Sequence, residues 1–163
     1  MKRVVLILIG LLLFIFDNTI LPSFAIKGAY GSLLFTFAIC YSLITGPWEA
    51  VFMGVYSGIL QDVFFGNVFG VNSLINLIVC LLAALVGKNI FKNRKTIPIL
   101  TVLGATVIKF LVVYIVLFFM KMNIYFQNMI VMTAMNTVLA FIFYRKIYNF
   151  TEKSFMKNPW KFN

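Results

Sequence analysis

No histidine occurs anywhere in the 163 residues. This removes imidazole metal ligands, histidine bases and histidine-dependent triads, and most metal and nucleophilic enzymology with them. Charge is almost as scarce. Charged residues are 11% of the chain and hydrophobic ones 63%, too little polar surface to cover a water-facing globule. A membrane protein is expected, and at roughly 20 residues per span the length accommodates six or seven helices with no sizeable soluble domain. Cys40 and Cys80, the two cysteines, both fall inside apolar runs, where a thiol behaves as a small hydrophobe and carries no redox message. Acidic residues number four against fourteen Lys and Arg, for a formal net charge of +10. Basic residues flanking apolar runs are the ordinary mark of cytoplasmic loops facing anionic lipid, so the expected partner is membrane lipid and not nucleic acid.

Apolar runs bounded by charges and breakers predict six spans: Val4 to Leu21, Ala29 to Ile44, Trp48 to Phe65, Phe69 to Val86, Ile97 to Met120 and Ile124 to Tyr144. Thr45, Gly46 and Pro47 alone separate the second from the third, and Gly66, Asn67 and Val68 the third from the fourth. Helices joined so tightly are antiparallel neighbours. With six spans, one side receives Lys2, Arg3, Lys88, Lys92, Arg94, Lys95, Arg145, Lys146, Lys153, Lys157 and Lys161; the other receives Lys27 and Lys121. The positive-inside rule then places both termini of a multi-pass membrane protein in the cytoplasm. Residues 1–150 are expected to form the six-helix transmembrane domain. Residues 151–163 mix Lys with Phe155, Met156, Trp160 and Phe162, which suits an interfacial tail. A cleaved signal peptide is the competing reading of the first span, but Ser23-Phe24-Ala25 is a poor cleavage triplet.

Ionisable side chains are costly in hydrocarbon, which makes Asp17, Asp62 and Lys109 the informative positions. At a rise of about 1.5 Å per residue they lie about 20, 21 and 18 Å from the cytoplasmic ends of their helices, two-thirds of the way across a core of about 30 Å. Asn76 and Asn136 come out near the same level. A buried polar layer is expected, with Asp62, and Asp17 as a further member, neutralised by Lys109; such a layer more often fixes helix register than forms a transport or catalytic site. The third span carries a second signal. Gly46, Ala50, Gly54, Gly58, Asp62 and Gly66 recur every four residues and so share one helical face. Small residues let another backbone approach closely, and packing inside the bundle is favoured over dimerisation.

Gly46-Pro47-Trp48-Glu49-Ala50, then Gly54, Gly58-Ile59-Leu60-Gln61-Asp62, then Gly66 and Gly70-Val71-Asn72-Ser73-Leu74 resemble the rod shape-determining protein MreD family. That family's pattern is a Gly-Pro, a glycine-spaced helix ending in Gly-x-x-Gln-Asp, a short loop with Gly, and a Leu-Gly-x-x-x-Leu entry to the next helix. Phe69 replaces the leucine here, and Tyr30-Gly31-Ser32 stands where family members often carry Pro-Asp. Leu21-Pro22 also resembles the family. The resemblance implies a non-enzymatic subunit of the bacterial elongation machinery, without cofactors. It would partner the bitopic shape protein MreC and, through it, the cytoskeletal filament and the peptidoglycan glycosyltransferase and transpeptidase. It further implies a fold similar to the S components of energy-coupling-factor transporters. The structural or interaction residues expected from the polar layer, the small-residue stripe and the resemblance together are Asp62, Lys109, Asp17, Gln61, Gly54, Gly58, Gly66, Gly70, Asn76 and Asn136.

Two other functions compete. A vitamin-binding transporter subunit would resemble the S components in an Ala-x-x-x-Ala pair on the first helix, yet Val4 to Phe16 contains no alanine. An intramembrane aspartyl protease would need Asp17 and Asp62 about 3 Å apart sharing a proton. Lys109 at the same depth would hold both ionised, and the Gly-x-Gly-Asp motif of those proteases is missing.

Overall fold

A computed structural model describes residues 2–26, 28–64, 69–89, 96–119, 121 and 127–152. Among them the chain is all-helical, without a strand. It comprises α1 (Lys2–Thr19), a short 3-10 helix (Leu21–Phe24), α2 (Leu33–Thr45), α3 (Pro47–Phe64), α4 (Val71–Asn89), α5 (Thr96–Phe119) and α6 (Gln127–Thr151). Among the described residues three stretches are long and apolar enough to cross a membrane: Val71–Lys88, Ile97–Val116 and Asn128–Thr151. The 18-residue helices α1 and α3 are comparably long but carry Lys2, Arg3 and Asp17, and Glu49 and Asp62.

α2 is the centre of the bundle. It has no charged residue, every position from Leu34 to Ile44 is buried, and it packs against all five other helices. A helix apolar on all sides is most stable where no side meets water. With 13 residues it is also short, about 20 Å at helical rise. Phe35, Ile39, Tyr41, Met53, Val79 and Val102 are among the large side chains fully enclosed around it. α1 lies at the edge of the bundle, with Val4, Leu8, Leu12 and Ile15 exposed on one face.

The small-residue stripe of α3 is used inside the bundle, against α4. A Cβ on Gly54 would lie 2.7 Å from Leu77 Cα and 2.9 Å from the Asn76 carbonyl oxygen; one on Gly58 would lie 2.6 Å from Ser73 N and closer still to its Cα. These approaches exist only because both residues lack a side chain. Gly87 of α4 admits the Leu43 carbonyl of α2 in the same way, an approach outside the stripe.

Predicted and observed ends agree within two residues for α1, α3 and α5, but α2 starts four residues late. Ala29 to Ser32 are apolar enough to read as span, yet Ile26 and Ala29 pair in an isolated bridge and Ser32 caps the helix. α6 continues past the predicted end at Tyr144 through Arg145 and Lys146 to Thr151. Hydropathy ends there, but Arg and Lys are good helix formers and do not end a helix. The expected boundary at residue 150 falls inside this last turn. Lys27, Gly66, Arg94 and the tail beyond Glu152 lie outside the described residues.

Candidate functional site: the buried polar layer

A helix begins with four N–H groups that have no partner within it. At α2 these are the amides of Ser32, Leu33, Leu34 and Phe35, placed in the interior of an apolar bundle. All four are satisfied. Asp17 of α1 accepts from Leu33 N at 2.7 Å through Oδ1 and from Leu34 N at 3.1 Å through Oδ2. Ser32 Oγ accepts from Phe35 N at 3.1 Å, and Asn136 Oδ1 of α6 accepts from Ser32 N at 2.7 Å. Asp17 also accepts from the Ser32 hydroxyl at 2.6 Å and is 5% exposed. The nearby Pro22 leaves it inside the bundle, because α1 ends at Thr19, beyond the carboxylate.

α4 starts by the same device. The residue before it, Gly70, has φ +96°, a left-handed conformation that suits glycine, and no side chain with which to cap. Asp62 of α3 supplies the cap instead. Oδ1 accepts from Asn72 N at 2.9 Å, and Oδ2 accepts from Ser73 N at 2.9 Å and from the Ser73 hydroxyl at 2.5 Å. A carboxylate at a helix N-terminus is doubly favoured, by direct hydrogen bonds and by the partial positive charge there.

Gln61, next to Asp62 in the chain, joins the α2 cap to α4 and α5. Its Nε2 donates to Ser32 Oγ at 3.1 Å, while Oε1 accepts from Lys109 Nζ at 2.5 Å and from Asn76 Nδ2 at 3.1 Å. Asn76 also donates to Ser57 Oγ at 3.1 Å and accepts from Lys109 Nζ at 2.9 Å. The Lys109 ammonium lies 4.4 Å from the centre of the Phe35 ring, a cation–π contact. Asn136 Nδ2 donates to Thr106 Oγ1 at 3.3 Å. Gly31 leaves room for this asparagine, since a Cβ there would stand 2.7 Å from Asn136 Oδ1. All six helices thus contribute to one network.

The expected neutralisation of Asp62 and Asp17 by Lys109 is corrected by these contacts. Neither carboxylate forms an ion pair with Lys109. Backbone amides at two helix starts take the carboxylates, and two neutral side-chain amides take the ammonium. An ion pair does form at the opposite end of the bundle, between Lys2 and Glu49 at 3.0 Å. Nor do the aspartates form a dyad, since each is occupied by its own three donors. Ser32, Ser57, Ser73 and Thr106 belong to the layer although charge and depth did not single them out. Ser32 was detectable as a capping residue three positions before Phe35. The other hydroxyls carry no signal, because Ser and Thr are ordinary in membrane helices.

Comparison with curated proteins and with solved structures finds no match. Comparison with protein families does: the family described as rod shape-determining protein MreD matches residues 1–154 of the 163. The motif around Gln61 and Asp62 is therefore one part of a likeness that spans nearly the whole sequence, and the chain belongs to the MreD family of rod shape-determining membrane proteins.

Proposed function

We propose that this protein is a non-enzymatic scaffold of the rod-elongation complex, supporting peptidoglycan synthesis and cell shape by binding partners within the membrane. The family assigns it a role in rod shape determination. The observation that favours a scaffold is how the polar layer is used: both carboxylates, the ammonium and the amides of Gln61, Asn76 and Asn136 hold helices to one another. In this proposal all six helices span the membrane with both termini in the cytoplasm, a bundle of the kind seen in energy-coupling-factor S components. An MreC-type protein docks on helix faces and short loops, and connects the chain indirectly to the glycosyltransferase and transpeptidase. Depletion in a rod-shaped host should widen and round the cells, and mild-detergent purification after intramembrane crosslinking should return the MreC partner. Normal rod width after complete depletion would overturn the proposal, and saturable binding of a labelled vitamin by the purified protein would replace it with the transporter reading.

The topology is separately testable. Cys40 and Cys80 are buried, so an introduced exposed cysteine is the selective target of a membrane-impermeant maleimide. Ser23→Cys and Lys121→Cys should label from outside intact cells. Lys88→Cys and Glu152→Cys should label only after permeabilisation. External labelling at Lys88 would refute the six-span arrangement.

A further inference from the structure

The helices do not extend equally beyond the polar layer. α1 ends two residues after Asp17, and α2 begins one after Ser32. α5 continues ten residues past Lys109, and α6 starts nine before Asn136. At helical rise α1 reaches about 3 Å above the layer and α2 does not rise above it, while α5 and α6 reach about 14 to 15 Å. Above α1 and α2 the chain is irregular, from the 3-10 helix at Leu21–Phe24 to the Ile26–Ala29 bridge, and Pro22, Ser23, Phe24, Ile26 and Gly28 are exposed there. Irregular backbone does not face hydrocarbon, where every N–H and C=O must be satisfied within the protein. Headgroups and water must therefore come down to this segment. On the opposite flank Ile115, Phe118, Phe119 and Ile130 are exposed on regular helix well above that level, and these side chains suit hydrocarbon.

We propose that the protein imposes a step on its bilayer: the hydrocarbon boundary lies just above the polar layer against α1, and about 10 Å higher against α5 and α6. The α1 flank, where Phe14 meets Phe64 of α3 ring to ring, is then a binding surface for locally thinned lipid. The inference rests on the membrane-spanning arrangement proposed above, but not on which end faces outward. Hydrophobic mismatch of this kind is relieved by thinning the bilayer at modest cost per ångström, and such a cost sorts lipids and neighbouring helices by length.

Matched exposed positions make the step measurable. Val63 lies two residues past Gln61 and Leu111 two past Lys109, while Ile130 lies six residues before Asn136 and so nearer the end of the bundle. Nitroxides on Val63→Cys, Leu111→Cys and Ile130→Cys would be read by collision with oxygen and with a water-soluble nickel chelate, using purified protein in dioleoylphosphatidylethanolamine–dioleoylphosphatidylglycerol vesicles. A step predicts several-fold more nickel access at Val63 than at either other position. A flat boundary predicts equal access at Val63 and Leu111, with the most at Ile130, and that order would overturn the proposal. Low collision with both reagents at Val63 would place a second copy of this chain on the flank, and would also overturn it. Val51→Cys and Leu100→Cys, both exposed on the other side of the layer, should read alike. An opposite difference between them would show rigid tilt in place of a step. Leu8→Cys, exposed on α1 and deep in both arrangements, should be shielded from nickel. Access there would refute the membrane-spanning placement of α1, a failure distinct from a flat boundary.

Discussion

Gly58→Leu is expected to abolish shape support in a rod-shaped host, with widening and rounding of cells and loss of the proposed MreC-type partner on purification. The cause is the α3–α4 contact. Any Cβ at this position meets the backbone of Ser73, and backbone cannot move aside as a flexible side chain can. Overpacking a filled interior costs about 1 to 3 kcal/mol when side chains can adjust, and more is expected here. Separating α3 from α4 also withdraws the Asp62 carboxylate from the amides of Asn72 and Ser73, so one substitution breaks both packing and cap. Insertion depends on hydrophobicity and should survive, so the variant should appear in membranes at normal amount by blot. Gly104→Ala is the matched control: a Cβ there meets nothing within 4 Å, and alanine favours a helix interior by about 1 kcal/mol. Wild-type rod width in cells whose only copy is Gly58→Leu would sink this account of the hairpin.

Heights along the bundle were legible in the sequence, whereas hydrogen-bond partners were not. Counting residues from the helix starts put Asp17, Asp62, Lys109, Asn76 and Asn136 at one level, and all five belong to the layer. A count of rise carries no information about azimuth, so the natural inference from three charges at one height was mutual neutralisation. What competes for the carboxylates is absent from any inventory of side chains: the unpaired amides at the starts of α2 and α4. Only Gly70, a helix-entry residue with no capping group, hinted that the cap of α4 comes from elsewhere. The stripe through Gly54 and Gly58 was legible because close approach requires missing side chains, while the equally close Gly87 stands alone without periodicity and was invisible. The short buried α2 was misjudged at its start because apolar composition cannot distinguish a helix from the irregular chain before it.

The same contacts decide where energetic coupling should be found in a double-mutant cycle. Lys109 donates to Gln61 and Asn76, so Gln61→Leu takes an acceptor from a buried ammonium, while Lys109→Met removes the ammonium itself. The pair should be non-additive, with the Gln61→Leu, Lys109→Met double variant less destabilised than the sum of the singles. Residues within one hydrogen-bond network couple by about 0.5 to 3 kcal/mol. Single interhelical hydrogen bonds in membranes average only about 0.6 kcal/mol, so most of the single-variant loss should come from the stranded charge and not from the bond. Asp62→Ala combined with Lys109→Met is the contrasting cycle. Asp62 and Lys109 share no hydrogen bond, and Asp62→Ala harms the start of α4 whether or not Lys109 is present. Its coupling should be the smaller of the two, leaving only through-space attraction between the charges. Both cycles can be read from unfolding midpoints in mixed detergent micelles. A larger coupling for Asp62 with Lys109 than for Gln61 with Lys109 would mean that charge neutralisation, and not helix capping, holds the layer together.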